Sequence, residues 1–124
     1  MRRLLAAGAA IVMCLALGGM PVAGQPAEPS DLRLTLLYDN TSTRPELIAN
    51  PGFSALVDYG NHTLLFDTGF SGSVLLDNMQ QLGVDPDAIE AVILSHEHDD
   101  HIGGLQALLD AGVRPIVYVP AEFT

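Results

Sequence analysis

Apolar residues fall into five short segments along the chain, and their lengths and spacing predict β-strands. The second and third segments are separated by Gly60-Asn61, a pair typical of a tight turn, so they are expected to form a β-hairpin. The fourth segment is apolar at every position, which is typical of a strand buried on both faces. The predicted strands are Leu32–Tyr38, Phe53–Tyr59, His62–Phe66, Ala91–Leu94 and Pro115–Val119.

Two further stretches have apolar residues at helical spacing. The first begins near Ser73 and ends at Gly83, and the second begins at Leu105 and ends before Gly112. The order is therefore β, β-hairpin, α, β, α, β, which predicts an α/β fold with a mixed sheet. Turns or loops are predicted at residues 41–52, 85–87 and 96–104.

Residues 1–24 have the pattern of an export signal. Arg2 and Arg3 precede an apolar stretch, Leu4 to Leu17, that is short and rich in Gly and Ala, and Met20 to Gly24 supplies a break with small residues suited to cleavage. The alternatives are an uncleaved anchor or a buried N-terminal helix, but no charged stop-transfer flank follows the apolar stretch. We therefore expect a secreted or periplasmic protein that is not inserted in the membrane after cleavage.

Residues 25–31 are a polar linker with prolines, so the folded part is expected to begin at Leu32. The chain has a formal net charge of −10 and no lysine, and removal of the signal also removes two of its five basic residues. Such a surface repels nucleic-acid backbones and excludes a nucleic-acid-binding module. The single cysteine, Cys14, lies in the signal, so a metal in the mature chain would be held by histidine and carboxylate.

Chemistry-bearing side chains are densest directly after the strand predicted at residues 91–94. Three of the four histidines of the chain lie within the next seven residues. His96 and His98 are two residues apart, so both rings project to the same side while the backbone is extended. Asp100 and His101 follow where the chain turns toward the next helix, and they can face the same pocket. Imidazole nitrogen and carboxylate oxygen are the ligands that zinc and similar divalent ions take.

The alternative for this segment is a solvated acidic loop that contains histidines by chance. The dense interleaving of histidines and carboxylates after an apolar strand favours the metal-ligand interpretation. We therefore predict a metal site, and we predict that His62, at the hairpin turn, is an exposed surface histidine. The predicted ligands are His96, His98, Asp100 and His101.

The order of these residues resembles a known family. Residues 96–101, His-Glu-His-Asp-Asp-His, match the His-x-His-x-Asp-His signature of the metallo-β-lactamase superfamily. Residues 66–69, Phe-Asp-Thr-Gly, are similar to an Asp-Thr-Gly element that the family carries on an upstream strand, and residues 103–105 are similar to its continuation after the last histidine. Other segments resemble the branch labelled dihydropteroate-synthase-like or ribofuranosylaminobenzene-phosphate-synthase-like, namely residues 39–40, 52–54 and 119–123.

The resemblance implies a role for each matching residue. His96 and His98 would bind a first metal ion, and Asp100 and His101 a second. Asp67 would hydrogen-bond and orient the metal-binding groups, the alternative being an aspartate that caps a turn at a strand end. The implied cofactor is one or two zinc ions, with iron or manganese as alternatives.

The resemblance also implies a fold and an activity. Residues 32–124 would form the N-terminal αβ half of the family's αββα sandwich. The implied reaction is hydrolysis of an ester, lactone, amide or phosphoester in a small-molecule substrate by a metal-activated water. Asp100 would be catalytic as well as a ligand, because it would position that water or accept a proton.

The chain departs from the family after the motif. The family supplies two further histidines and a bridging aspartate downstream, whereas no histidine follows His101, and Asp110 and Glu122 do not hold motif positions. We interpret the sequence as a fragment, and we expect the sheet face that packs on the family's second sheet to be exposed. One alternative is a non-enzymatic metal-binding remnant. Another is a di-iron redox member, but those proteins usually carry an acidic residue where this chain has His98.

Overall fold

Five strands form one mixed sheet in the computed structural model, which describes residues 31–123. The strands lie side by side in chain order. The first strand pairs antiparallel with the second and the second with the third, whereas the third, fourth and fifth strands are parallel to one another. The predicted α/β class and mixed sheet are confirmed. The strands are β1 (Leu32–Tyr38), β2 (Ser54–Tyr59), β3 (His62–Phe66), β4 (Ala91–Ile93) and β5 (Ile116–Tyr118).

The predicted hairpin is present. β2 and β3 pair antiparallel from Ala55 opposite Phe66 to Tyr59 opposite His62, which leaves two residues for the turn. The first of these, Gly60, has φ +60°, the left-handed conformation that such short hairpin turns require. The hairpin fixes the register of β3, and Asp67 follows the last residue of that strand.

Three helices connect the parallel strands. The longest, α1, follows β3 and ends at Gly83, whose left-handed conformation (φ 68°) and N–H bonds to the last carbonyls terminate it as the sequence predicts. A 3₁₀ turn (Pro86–Ala88) occupies the predicted turn before β4. The helices are α1 (Gly72–Leu82), α2 (Asp99–Ile102) and α3 (Leu105–Asp110).

α2 corrects the expectation of an irregular loop over residues 96–104. Its four residues include Asp99 and Asp100 in the first turn, where carboxylates interact favourably with the positive end of the helix. A helix this short has no apolar periodicity, so the sequence pattern does not predict it. The consequence is that Asp100 and His101 are held by a helical turn rather than by an extended loop.

One face of the sheet carries the hydrophobic core. Leu56, Leu65 and Val92 occupy neighbouring register positions on adjacent strands and are at most 5% exposed. The helices cover this face with side chains from α1 and α3, including Leu75 and Leu108, both fully buried. Packing on this face holds the end of β4 in place, and the metal motif follows directly from it.

The opposite face of the sheet is apolar, and it is exposed at both edge strands. Leu34 on β1 is 65% exposed, and Ile116 at the other edge of the sheet is 62% exposed. Between them in the same register row lie Val57 and Leu64, which are partly exposed, and Ala91, which is buried. The exposure expected from the sequence is therefore found at the edges of this face, among the residues that the structure describes.

The structure describes no residue before Asp31. The predicted export signal and most of the linker, residues 25–31, lie outside the described residues. Within residues 31–123, no helix has the length and apolar character needed to cross a membrane.

Candidate metal centre

The histidine motif lies at the C-terminal end of the parallel strands. β4 ends at Ile93, and Leu94 still donates its N–H to the carbonyl of Tyr118, the last residue of β5, over 2.9 Å. The chain leaves the sheet at Ser95, and His98 has extended backbone (φ −72°, ψ 142°) directly before α2. Ligands of open α/β sheets commonly bind at this edge.

Three of the four predicted ligands form a compact group. One donor atom from each of His96, Asp100 and His101 lies within 4.8 Å of the others. The rings of His96 and His101 have centroids 4.1 Å apart, and His101 Nε2 is 3.7 Å from Asp100 Oδ2. All three side chains are partly buried, so the group faces an opening rather than the core.

His98 lies beside this group but is not part of it. Its ring is edge-on to that of His96, with centroids 4.6 Å apart, and the residue is exposed. The chain bends at Glu97, so the two residues do not lie on one continuous extended segment as the spacing predicts, although their rings are close together. The assignment of His98 as a metal ligand stays a prediction.

Asp67 lies beneath the group and is 1% exposed. Its Oδ1 accepts the backbone N–H of Ser95 over 2.7 Å, and its Oδ2 accepts the Ser95 hydroxyl, also over 2.7 Å. The same Oδ2 lies 2.7 Å from His101 Nδ1. Asp67 therefore contacts one of the candidate ligands and the residue that precedes another.

The backbone of Asp67 is unusual. It is the only residue other than glycine with positive φ (55°) among residues 31–123. Asparagine and aspartate tolerate this left-handed conformation better than other side chains do. The Ser54 hydroxyl donates to the Asp67 carbonyl over 2.8 Å, and Asp67 donates its N–H to the carbonyl of Ile93 over 2.9 Å. These bonds hold the conformation that turns the carboxylate toward the motif.

Backbone hydrogen bonds tie the motif to the ends of β2 and β3. Phe53 donates its N–H to the carbonyl of Asp100 over 3.2 Å. Thr68 donates both its N–H (2.7 Å) and its hydroxyl (3.0 Å) to the carbonyl of His101. Gly52, with φ +125°, lets the β2 entry approach so closely that an added Cβ would overlap the Asp100 carbonyl. The ligand positions are therefore fixed through main-chain atoms as well as side chains.

An open recess of about 320 Å³ lies next to the group. Its lining includes His96 and His98 on one side and Glu122 and Phe123 on the other. Glu122 holds no motif position, and the sequence does not predict that Glu122 and Phe123 lie at the site. Their position depends on β5 pairing beside β4, and no local signal in the sequence carries that information.

The remaining candidates lie as the sequence predicts. His62 is exposed, and its Nδ1 is 2.9 Å from a Glu90 carboxylate oxygen on the far side of the hairpin from the motif. Asp110 is exposed on α3 and accepts a hydrogen bond from Gln106 over 2.8 Å. Neither belongs to the compact group of His96, Asp100 and His101.

The donor set fits a divalent metal. Zinc bonds to imidazole nitrogen and carboxylate oxygen lie near 2.0–2.2 Å in proteins, so donors that share one ion lie within about 4 Å of one another. A group of two imidazoles and one carboxylate with mutual separations of at most 4.8 Å meets this requirement with small side-chain adjustments. The residues present therefore fit a metal ion.

Residues 47–124 match the family model described as the metallo-β-lactamase superfamily. The chain belongs to this superfamily. The match includes Asp67, the whole motif and the segment with Glu122 and Phe123. The superfamily predicted from the motif is confirmed.

Curated relatives of the superfamily differ in their activities. The chain is 38% identical over 82 residues to a hydroxyacylglutathione hydrolase of Photorhabdus laumondii, which covers 62% of this chain and 31% of that protein. It is 33% identical over 79 residues to a 7,8-dihydropterin-6-methyl-4-(β-D-ribofuranosyl)-aminobenzene-5′-phosphate synthase of Methanocaldococcus jannaschii, covering 60% of this chain and 27% of that protein. The chain thus spans less than a third of either relative. The identities to these two relatives, 38% and 33%, are similar, and they do not favour one branch of the superfamily over another.

A solved structure supports the same fold. The chain superimposes on a subclass B3 metallo-β-lactamase with an active-site glutamic acid at a TM-score of 0.51 and 28% identity, covering 77% of this chain and 32% of that one. The five-stranded sheet and its helices therefore correspond to part of a metallo-β-lactamase fold.

Proposed function

We propose that the chain supplies the metal-binding part of a hydrolase active site. The observation that carries the proposal is the convergence of donor atoms from His96, Asp100 and His101 to within 4.8 Å at the end of β4. Membership of the superfamily supports it, because the curated relatives include a hydroxyacylglutathione hydrolase. The proposed metal ligands are His96, His98, Asp100 and His101.

The donor types favour zinc, with iron or manganese as alternatives. Imidazoles with a carboxylate are typical zinc ligands, and no cysteine lies among residues 31–123. The di-iron redox alternative is disfavoured by His98, which stands where such members usually carry an acidic residue. His98 is exposed and its ring centroid lies 4.6 Å from that of His96, so we propose it as the third imidazole that a bound ion would take.

Chemistry at the site would combine a metal with the surrounding side chains. A bound divalent ion lowers the pKa of a coordinated water toward neutrality and polarises the substrate's electrophile. The Asp100 side chain is 45% exposed and lies 3.7 Å from His101, so it can both hold a ligand position and accept a proton from the recess side. Asp67 and the backbone bonds from Thr68 keep His101 in place during these events.

The recess favours a small substrate without a polyanionic backbone. Glu97 and Glu122 line it together with the histidines, and the whole chain has no lysine and a net charge of −10. Phe123 adds an apolar wall. We therefore propose that the substrate is a small ester, lactone, amide or phosphoester and not nucleic acid. The signal pattern supports a location outside the cytoplasm.

Zinc content tests the proposal. We expect that His96→Ala or His98→Ala abolishes zinc binding at the first site of the full-length protein, because loss of one imidazole removes both a bond and the site geometry. Zinc is measured by elemental analysis after purification in a zinc-containing buffer, and hydrolysis is assayed with chromogenic esters, lactones, β-lactams and phosphodiesters. His62→Ala is the matched control, since it removes an exposed histidine away from the group.

Two outcomes contradict the proposal. Unchanged zinc content in both histidine variants would overturn the ligand assignment. Weak, non-stoichiometric zinc binding by the wild-type protein would instead support the non-enzymatic remnant.

A further inference from the structure

Ser95 lies between Asp67 and His96, and its hydroxyl contacts both. Ser95 Oγ is 2.7 Å from Asp67 Oδ2 and 2.8 Å from His96 Nδ1. The backbone N–H of Ser95 adds a separate bond to Asp67 Oδ1 over 2.7 Å. Among residues 31–123, this hydroxyl therefore forms the only side-chain link between Asp67 and the His96 ring.

The direction of these two bonds follows from the number of protons. A serine hydroxyl has one hydrogen, and here it is donated to the Asp67 carboxylate. The contact with His96 can then form only if the imidazole Nδ1 carries a proton and donates it to Ser95 Oγ. In a neutral ring, Nδ1–H leaves Nε2 unprotonated, and an unprotonated ring nitrogen is what a metal ligand requires.

The other histidine of the group is set in the same way without an intermediary. His101 Nδ1 lies 2.7 Å from Asp67 Oδ2, so its Nδ1–H is directed to the carboxylate and its Nε2 is unprotonated. His101 Nε2 is the atom that faces Asp100, at 3.7 Å. One buried carboxylate thus orients two rings, one directly and one through the Ser95 hydroxyl.

We propose that Ser95 is a positioning residue that holds His96 as the Nδ1–H tautomer and so presents Nε2 to the metal. This inference rests on the proposed function, since it assigns a purpose to the free Nε2. Ser95 itself is not a ligand. Replacement by alanine removes the hydroxyl but retains the backbone N–H bond to Asp67, so the loop keeps its other anchor.

The test separates the tautomer from the metal. Long-range ¹H–¹⁵N NMR correlations of the neutral His96 ring, recorded on the metal-free protein, report which nitrogen carries the proton. We expect Nδ1–H in the wild type, a shift of population toward Nε2–H in Ser95→Ala, and restoration of Nδ1–H in Ser95→Thr, which retains a hydroxyl. Ser73→Ala is the matched control, because the Ser73 hydroxyl contacts only that of Ser71 on the exposed surface.

Zinc affinity supplies the second readout, by competition with a chromophoric chelator. We expect Ser95→Ala to weaken zinc binding about 10–100-fold, as for other groups that orient histidine ligands, and Ser95→Thr and Ser73→Ala to stay near the wild-type value. A purely structural role for Ser95 would change stability without a change of tautomer.

Failure of this inference and failure of the proposed function look different. An Nε2–H ring in the metal-free wild type overturns the inference even if Ser95→Ala does not fold. Equal zinc affinity in wild type and Ser95→Ala overturns it as well. A wild-type protein with the expected Nδ1–H tautomer but no zinc binding would overturn the proposed function and leave the orientation of the ring established.

Discussion

His101 Nδ1 and Asp67 Oδ2 lie 2.7 Å apart, although the two residues are 34 positions apart in the chain. The contact joins the end of β3 to the helical turn α2, and it is made by a carboxylate that is 1% exposed. A buried carboxylate requires donors on both oxygens, and Ser95 and His101 supply them. The charge that orients the candidate ligands is therefore also one that the fold must keep satisfied.

The first prediction follows from this contact. In Asp67→Asn, one carboxylate oxygen becomes an NH₂ group that faces donors from Ser95 or His101, while the left-handed backbone is still tolerated. We expect a loss of about 1–3 kcal/mol in the free energy of unfolding, because a buried donor is left without an acceptor. We also expect zinc affinity to fall at least about tenfold. Thermal denaturation and chelator competition measure the two effects.

Asp58→Asn is the control for that substitution. Asp58 is a partly buried aspartate that accepts one hydrogen bond, from the Thr63 hydroxyl over 2.9 Å, on the hairpin. Its zinc affinity should equal that of the wild type. Equal zinc affinity in Asp67→Asn as well would show that the carboxylate charge does not support the ligands.

The second prediction concerns catalysis by Asp100. Asp100→Asn retains an oxygen that can approach a metal but cannot accept a proton at neutral pH. Because general-base groups contribute about 10²–10⁴-fold, we expect the kcat of the full-length protein on the best substrate of the chromogenic panel to fall by a factor in that range. Retention of the wild-type kcat by a zinc-loaded variant would remove Asp100 from the reaction.

The third prediction concerns the uncovered face of the sheet. Leu34 and Ile116 are 65% and 62% exposed, on strands at opposite edges, and the row between them is apolar. Continuous apolar surface of this kind is uncommon on soluble monomers. We expect residues 25–124 expressed alone to aggregate or to be molten, to bind a hydrophobic dye such as ANS, and to show no hydrolase activity.

Substitution on that face tests its contribution. Leu34→Thr combined with Ile116→Thr should lower dye fluorescence, since threonine retains β propensity and adds a hydroxyl. Leu56→Thr, a change in the core where the side chain is 5% exposed, should raise it. A sharp cooperative thermal transition in a monomeric, dye-negative sample would show that this segment is self-sufficient.

The fourth prediction concerns export. The Arg2-Arg3 start, the short apolar stretch and the small residues that end at Gly24 predict cleavage near Gly24 or Gln25. N-terminal sequencing of the protein from the secreted or periplasmic fraction should therefore begin at one of these residues. An intact Met1 or Arg2 in that fraction would contradict the prediction.

The sequence predicts the sheet well because its strands have clear boundaries. β1 and β3 have the predicted limits. β2 and β4 differ from prediction by one residue, Phe53 at the start of one and Leu94 at the end of the other, and β5 is one residue shorter than predicted at each end. Gly60-Asn61 and Gly83 mark a turn and a helix end by local conformational requirements that no tertiary contact overrides. Features of this kind can be predicted from the sequence alone.

Other parts of the site depend on distant contacts. The motif includes the three side chains that cluster, those of His96, Asp100 and His101. The contact of the Ser95 hydroxyl with both Asp67 and His96, by contrast, arises only when β3 and β4 pair. The residues that flank Asp67 in the sequence do not predict its left-handed backbone conformation. The wall formed by Phe123 requires β5 to lie beside β4.

The anchors of the motif also determine when the site can form during folding. Asp67 precedes Ser95 by 28 residues, and Thr68 precedes His101 by 33, so a peptide that carries only the histidine motif lacks both of these anchors. Contacts between residues so far apart in the sequence form late in folding, because closing the chain segment between them costs conformational entropy. During synthesis the hairpin and α1 emerge from the ribosome before the histidines do, and a template for the ligand turn is then already available. Metal capture is thus expected as a late event, coupled to the docking of α2 on preformed strands and not to nucleation of the fold.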